Sequence, residues 1–143
     1  MRKNNTIYRK FSAGFTLTEL LVVVIIVGIL ATLALPMLVK TMEKAKLGEA
    51  ASNLNLIRTG EKIYFLENGF FSGGGTGLDA LNIEDPNDAT SRYFDYTITS
   101  ASGATSDFTA RAQRQGSAPS PYSTYYYEIS KGGTITSNGP LQP

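Results

Sequence analysis

Gly14-Phe15-Thr16-Leu17-Thr18-Glu19-Leu20-Leu21 leads into an uncharged run that ends at Val39, and this stretch decides the fold. Glu19 is the sole charge between Lys10 and Lys40. An ionisable group entering a bilayer segment costs roughly 2 to 3 kcal/mol on insertion scales, so a partner and a task are expected for it. Leu20 to Val39 are rich in Leu, Val and Ile. About 20 helical residues span the roughly 30 Å hydrocarbon core of a bilayer. If the chain were cut between Gly14 and Phe15, Glu19 would lie four residues from a new positive amine.

The charge is distributed unevenly. Arg2, Lys3, Arg9 and Lys10 precede Gly14 with no acid among them. Without these four, nine basic residues face twelve acidic ones, a net charge of −3 against +1 for the whole chain. That argues against a nucleic-acid binder driven by general basicity. The basic cluster instead predicts a cytoplasmic N-terminus and a C-terminus outside, a bias that Lys40, Lys44 and Lys46 on the far side reduce. With no Cys, disulfides, cysteine zinc sites and haem attachment are excluded. With no His, the commonest general base and metal ligand is missing. No catalytic constellation is visible, so an enzyme is not expected, and neither is a cofactor or a metal.

Two rival readings of the apolar run are weaker. It exceeds the about 7 to 15 residues of a signal peptide, and Ala31-Thr32-Leu33-Ala34 matches an A-x-A cleavage site poorly. Glu19 alone would suit a helix start, where the dipole favours an acid. The whole string says more. Gly14-Phe15-Thr16-Leu17-Thr18-Glu19-Leu20-Leu21 resembles the processing site of type IV pilins and type II secretion pseudopilins. The resemblance implies cleavage after Gly14 by a prepilin peptidase, N-methylation of Phe15, and an assembly role for Glu19 as the fifth-position acid. Physics agrees independently, since Gly14 lets a protease approach the backbone closely. In lipid, subunits have no ordinary hydrophobic drive to associate, and a carboxylate meeting a neighbour's α-amine would supply an electrostatic one. Pro36 removes one intrahelical bond, so a kink or local break is expected there, with Gly28 a second weak point. The resemblance ties Pro36 to helix curvature and local melting during assembly.

Beyond the apolar run, Leu47, Ala50, Ala51, Leu54, Ile57 and Tyr64 recur at helical steps, with Lys46, Glu49, Asn53, Arg58 and Lys62 on the remaining surface. Asn68-Gly69 is a stop signal, so Phe15 to Asn68 would form one helix of roughly 80 Å. Phe70 to Gly77 reads as a flexible loop, without the context of a phosphate cradle. Asp79, Glu84, Asp85 and Asp88, with Asn82 and Asn87, offer oxygen ligands for calcium but match no EF-hand, and such residues are common in turns. The resemblance supplies no calcium site either, because the C-terminus lacks acids after Glu128.

Strand patterns follow. Phe94, Tyr96 and Ile98 alternate with polar residues, as do Phe108, Ala110 and Ala112, and then Tyr125, Tyr127 and Ile129. Lys131-Gly132-Gly133 predicts a turn into Thr134-Ile135-Thr136. An antiparallel meander covering the apolar stripe of the helix results. Tyr122, Tyr125, Tyr126 and Tyr127 could stack on a glycan or DNA, but strand propensity and packing explain them more simply. Asn4-Asn5-Thr6 is a formal glycosylation sequon inside the expected leader and is discounted.

The expected fold is α+β and pilin-like. It comprises a cleaved leader at 1–14, a membrane and filament-core helix at 15–39, an amphipathic continuation at 40–68 and a β-domain at 69–143. The expected function is a structural subunit of a type IV pilus-like helical homo-oligomer. Its expected partners are inner-membrane lipid, a prepilin peptidase and an inner-membrane assembly platform. Nucleic acid is not an expected partner, although a role in DNA uptake stays open. The subunit would sit in the inner membrane and then in an extracellular pilus or a periplasmic pseudopilus. The alternatives are a major pseudopilin of type II secretion and a single-pass anchored binding module.

Overall fold

The computed structural model describes residues 14–74, 77–100, 103–116 and 118–143, so the expected leader at 1–14, apart from Gly14, lies with its sequon outside the described residues. The chain divides into two compact units, one ending at Val39 and the other running from Lys40 to Pro143. A single helix, α1 (Leu17–Asn68), carries residues of both.

In the first unit, α1 buries nothing within the chain, and its span is long and apolar enough to cross a membrane. The break expected at Pro36 is absent: α1 runs through both Gly28 and Pro36. One missing N–H costs a single rung, and the turns on either side keep the helix continuous. Asn68-Gly69 ends it as expected. Gly69 takes φ +81° and donates to the Phe65 carbonyl at 2.8 Å, a left-handed stop open to glycine without strain.

The second unit is a four-stranded antiparallel meander with part of α1 against it: β1 (Phe94–Ile98), β2 (Thr109–Arg114), β3 (Tyr126–Ser130) and β4 (Ile135–Ser137), in that spatial order. Alternation sets the core. Phe94, Tyr96 and Ile98, then Ala110 and Ala112, then Tyr127 and Ile129 are buried, facing Ala50, Leu54 and Ile57 of α1. Three of the four clustered tyrosines, Tyr122, Tyr125 and Tyr127, belong to this interior, so packing accounts for them. Tyr126 points the other way, under the Arg111 guanidinium at 3.9 Å from its ring centroid.

A further feature departs from expectation. Phe71 and Ser72 are buried, so the start of the 70–77 segment is an anchored crossing rather than a flexible loop. Phe71 packs between Phe65 and Phe108, and its backbone pairs with Ala104 and Gly103. The acidic 79–88 stretch serves as turns. Asp85 caps the short helical turn Pro86–Asp88 by accepting from the Asn87 amide. The Asn87 side chain both donates to the Tyr96 carbonyl and accepts from its amide, each at 2.9 Å, which occupies the free edge of β1. Among the described residues, no three acidic side chains gather as a metal site would need.

Candidate functional site

The N-terminal residues Gly14, Phe15 and Thr16 precede the helix and are exposed. Among the described residues, no atom lies near the place a Cβ would occupy on Gly14, so its backbone is open to approach from them. Thr16 and Glu19 close a capping box. The Thr16 amide donates to Glu19 Oε2 at 2.8 Å, its hydroxyl donates to the same oxygen at 2.9 Å, and the Glu19 amide donates to Thr16 Oγ1 at 3.2 Å. Sequence reasoning missed this box, although Thr-x-x-Glu ahead of an apolar run carries the signal for it. The box holds the carboxylate one residue from the position of the Phe15 amine. Two oxygens accept about four hydrogen bonds in all, so another donor can reach a carboxylate already engaged by Thr16. Pro36 lies seventeen residues on, about 25 Å along the helix, and is not part of this cluster.

A second charged cluster, in the second unit, was missed from sequence. Glu43 is 1 % exposed and Arg114 is 4 % exposed. Arg114 Nε donates to Glu43 Oε2 at 2.9 Å and Nη2 donates to Oε1 at 3.2 Å, a fork on both oxygens. Lys46 adds a bond of 2.6 Å to Oε1, and the Tyr125 hydroxyl approaches Oε2 at 3.4 Å. Arg114 Nη1 donates to the Tyr93 carbonyl at 2.9 Å. Burial pushes the Glu43 carboxyl up, but the bonds and charges of Arg114 and Lys46 outweigh it and hold it below the ordinary value. Burial likewise opposes the Arg114 charge, and Glu43 more than restores it. Burial pushes the Tyr125 hydroxyl well above its usual range and raises that of Tyr127 as well.

Glu61 forms a separate anchor. It is wholly buried and accepts from the Ser72 amide at 3.0 Å and the Ser72 hydroxyl at 2.7 Å. Glu43 and Glu61 are eighteen residues apart, five helical turns, and so face the same way. Each holds α1 to a different part of the β-domain. One signal existed in the sequence: Arg114 keeps the phase of Ala110 and Ala112, and Glu43 keeps that of Ala50. A charge at core phase on each of two packed elements implies that they meet.

Neither cluster offers catalytic geometry. The Glu43 group saturates its charges internally, and the Glu19 group is a helix terminus at the head of an apolar span. Comparison with known proteins agrees. Residues 9–35 match the family model described as the prokaryotic N-terminal methylation motif. The chain is 44 % identical over 59 residues to the type IV major pilin protein PilA of Myxococcus xanthus, across 41 % of this chain and 27 % of that protein. It is 38 % identical over 73 residues to the type II secretion system core protein G of Aeromonas hydrophila, across 51 % of each. The chain therefore spans about a quarter and about half of the length of these relatives. The fold is similar to the non-core minor pilin PilV of Neisseria meningitidis, with a TM-score of 0.50 at 22 % identity over 72 % of this chain and 93 % of that one. A methylation motif heading an apolar helix, with stretches of similarity to a type IV pilin and to type II secretion core protein G, makes the N-terminal half of this chain similar to the type IV pilin and pseudopilin family, and the helix-on-meander fold behind it is pilin-like.

Proposed function

We propose that this chain is the subunit of a type IV pilus-like filament. A prepilin peptidase cuts it after Gly14 and methylates Phe15, and the subunit waits in the inner membrane with its C-terminal unit outside. An assembly platform then draws it into a helical homopolymer. The observation that supports this most directly is the Glu19 capping box next to Phe15, followed by a wholly unburied apolar span. In the filament the Glu19 carboxylate takes the Phe15 amine of an adjacent subunit in addition to its own Thr16, which sets axial register. Pro36 provides the point where the helix can open during extraction. Burying Leu20 to Val39 against neighbours replaces their lipid contacts, and a contact that does not close generates an open fibre.

A pseudopilus of type II secretion is the second reading, favoured by the longer stretch of similarity to core protein G, 73 residues against 59. Mass spectrometry of the mature N-terminus in the native host tests the processing step. A chain starting at methylated Phe15 is expected, and one retaining Met1 would overturn it. Deleting the gene then separates the machines, because loss of surface fibres marks a pilus and retention of exoproteins in the periplasm marks a pseudopilus. Glu19→Ala should abolish filaments while subunits still accumulate in the membrane. Filaments at wild-type yield would remove the register role.

A further inference from the structure

Within the second unit, α1 is apolar on two opposite faces. One face carries Ala50, Leu54 and Ile57 into the core. On the other, Leu56, Ile63 and Leu66 stand 37 %, 42 % and 83 % exposed, with exposed Thr59 between them. Exposed Ser52, one turn before Leu56, continues the same line with a side chain small enough for another helix to approach closely. Leu54 and Ile63 are nine residues apart, which at about 100° per residue places them on opposite sides of the helix. The outer residues step by four, three, four and three from Ser52 to Leu66, a heptad seam with Leu56 and Ile63 at a and Ser52, Thr59 and Leu66 at d. A helix apolar on both faces calls for cover on both.

We propose that two copies of this chain pair in parallel and in register along the Ser52-to-Leu66 seam while still in the membrane, before any filament forms. The inference rests on the bilayer-anchored reading above. Charge identifies the partner. Lys62 falls at g and Glu67 at the next e, the positions that meet across a parallel two-stranded coil. Neither forms an ion pair among the described residues. Five residues apart on one helix, they cannot reach each other within a chain, because only three- and four-residue spacings do. In a symmetric pair, each Lys62 meets the Glu67 of the other copy, and does so twice. Ile at a with Leu at d, as in Ile63 and Leu66, favours two strands. The bilayer supplies the register, since two copies inserted the same way hold their helices parallel and at one depth. The seam covers only about two heptads, and Ser52 and Thr59 add little apolar area, so it is too weak for an independent coiled coil. Shared anchoring makes the encounter effectively intramolecular and offsets that.

The chain has no cysteine, which makes the test clean. Full-length Thr59→Cys, Leu66→Cys and Asn68→Cys are expressed in the native host lacking its assembly platform, and membranes are treated with a mild oxidant. Disulfide homodimers are expected at Thr59→Cys and Leu66→Cys, and Asn68→Cys, facing away, should stay monomeric. Adding Lys62→Glu to Leu66→Cys should abolish the dimer, and Lys62→Glu with Glu67→Lys should restore it. Equal crosslinking at all three sites, monomers throughout, an adduct with a different protein, or no response to the charge swap would each overturn the pairing. Failure of the anchored reading shows separately, as protein missing from the membrane fraction.

Discussion

The first part of α1, up to Val39, and the part from Lys40 to Asn68 belong to one continuous helix, yet they are stabilised in different ways. The first part buries none of its side chains inside the chain. The second buries Glu43, Ala50, Leu54, Ile57, Gly60 and Glu61. Apolar residues dominate the buried face less than the pattern of Leu47, Ala50, Leu54 and Ile57 suggests, because two carboxylates share it. The energy of each part therefore resides in a different place. The first finds no cover among the described residues, and the second is completed by its own β-domain through charges enclosed at two levels.

The largest effect should come from breaking one of those charges. Glu43→Ala or Arg114→Leu leaves a buried ion without a partner, a loss of about 3–5 kcal/mol. Thermal melting of the full-length protein in detergent, followed by near-ultraviolet circular dichroism, measures it. Replacing both residues with Met should recover much of the loss, because a pair of apolar side chains needs no ion partner. If both single variants melt like wild type, the ion pair does not hold helix to sheet.

Acid probes the same anchor. The folded value of Glu43 lies below the ordinary 4.5, so the unfolded chain takes up its proton first. The stability from this group is fully present above about pH 4.5 and is lost as the pH falls through the lower folded value. Melting temperature should drop over that window, and Glu43→Gln should drop less. The raised Tyr96, Tyr125 and Tyr127 hydroxyls act with the opposite sign: their contribution holds below about pH 10 and fades above it. An alkaline titration that follows tyrosinate absorbance should show these three ionising only as the fold opens.

A packing change comes next. A Cβ on Gly139 would overlap the Cβ of Tyr125, which the sheet holds in place. Gly139→Ala should cost about 1–3 kcal/mol in the same melt. The exposed counterpart of the buried pair is Arg111 and Glu128, 2.7 Å apart across β2 and β3 with both side chains partly in solvent. Arg111→Ala should cost only about 0.2–1 kcal/mol, reduced further by salt. The smallest effect belongs to the first part of α1. Leu30→Ala in detergent should leave the melt unchanged, because Leu30 touches no core. A clear shift would mean that the first part of the helix is stabilised from within the chain after all.

Much of this was legible in sequence because it depends on neighbours along the chain. Asn68-Gly69 spells the helix stop, two-residue alternation placed Phe94, Tyr96 and Ile98 on one face, and Thr16 and Glu19, three residues apart, carry a capping-box pattern that the sequence reading passed over. The Glu43 cluster was not legible in the same way. Its partners Arg114 and Tyr125 are seventy-one and eighty-two residues away, and a lone Glu or Arg in an amphipathic pattern reads as surface. Phe71 and Ser72 misled for a related reason: their glycine-rich neighbours signal a loop, and only Glu61 and Phe108 show that the loop is anchored.

The apolar span, the processing motif, the long helix and the antiparallel meander all follow from the order of residues alone, because local spacing, charge placement and residue type are sufficient causes of each. Which charges are internal follows only from the packing in three dimensions. Burial makes a charge costly unless another is brought to it, and whether Arg114 reaches Glu43 depends on how the sheet lies across the helix. The same packing selects which of the two apolar faces of α1 the chain covers for itself and which it leaves for something else.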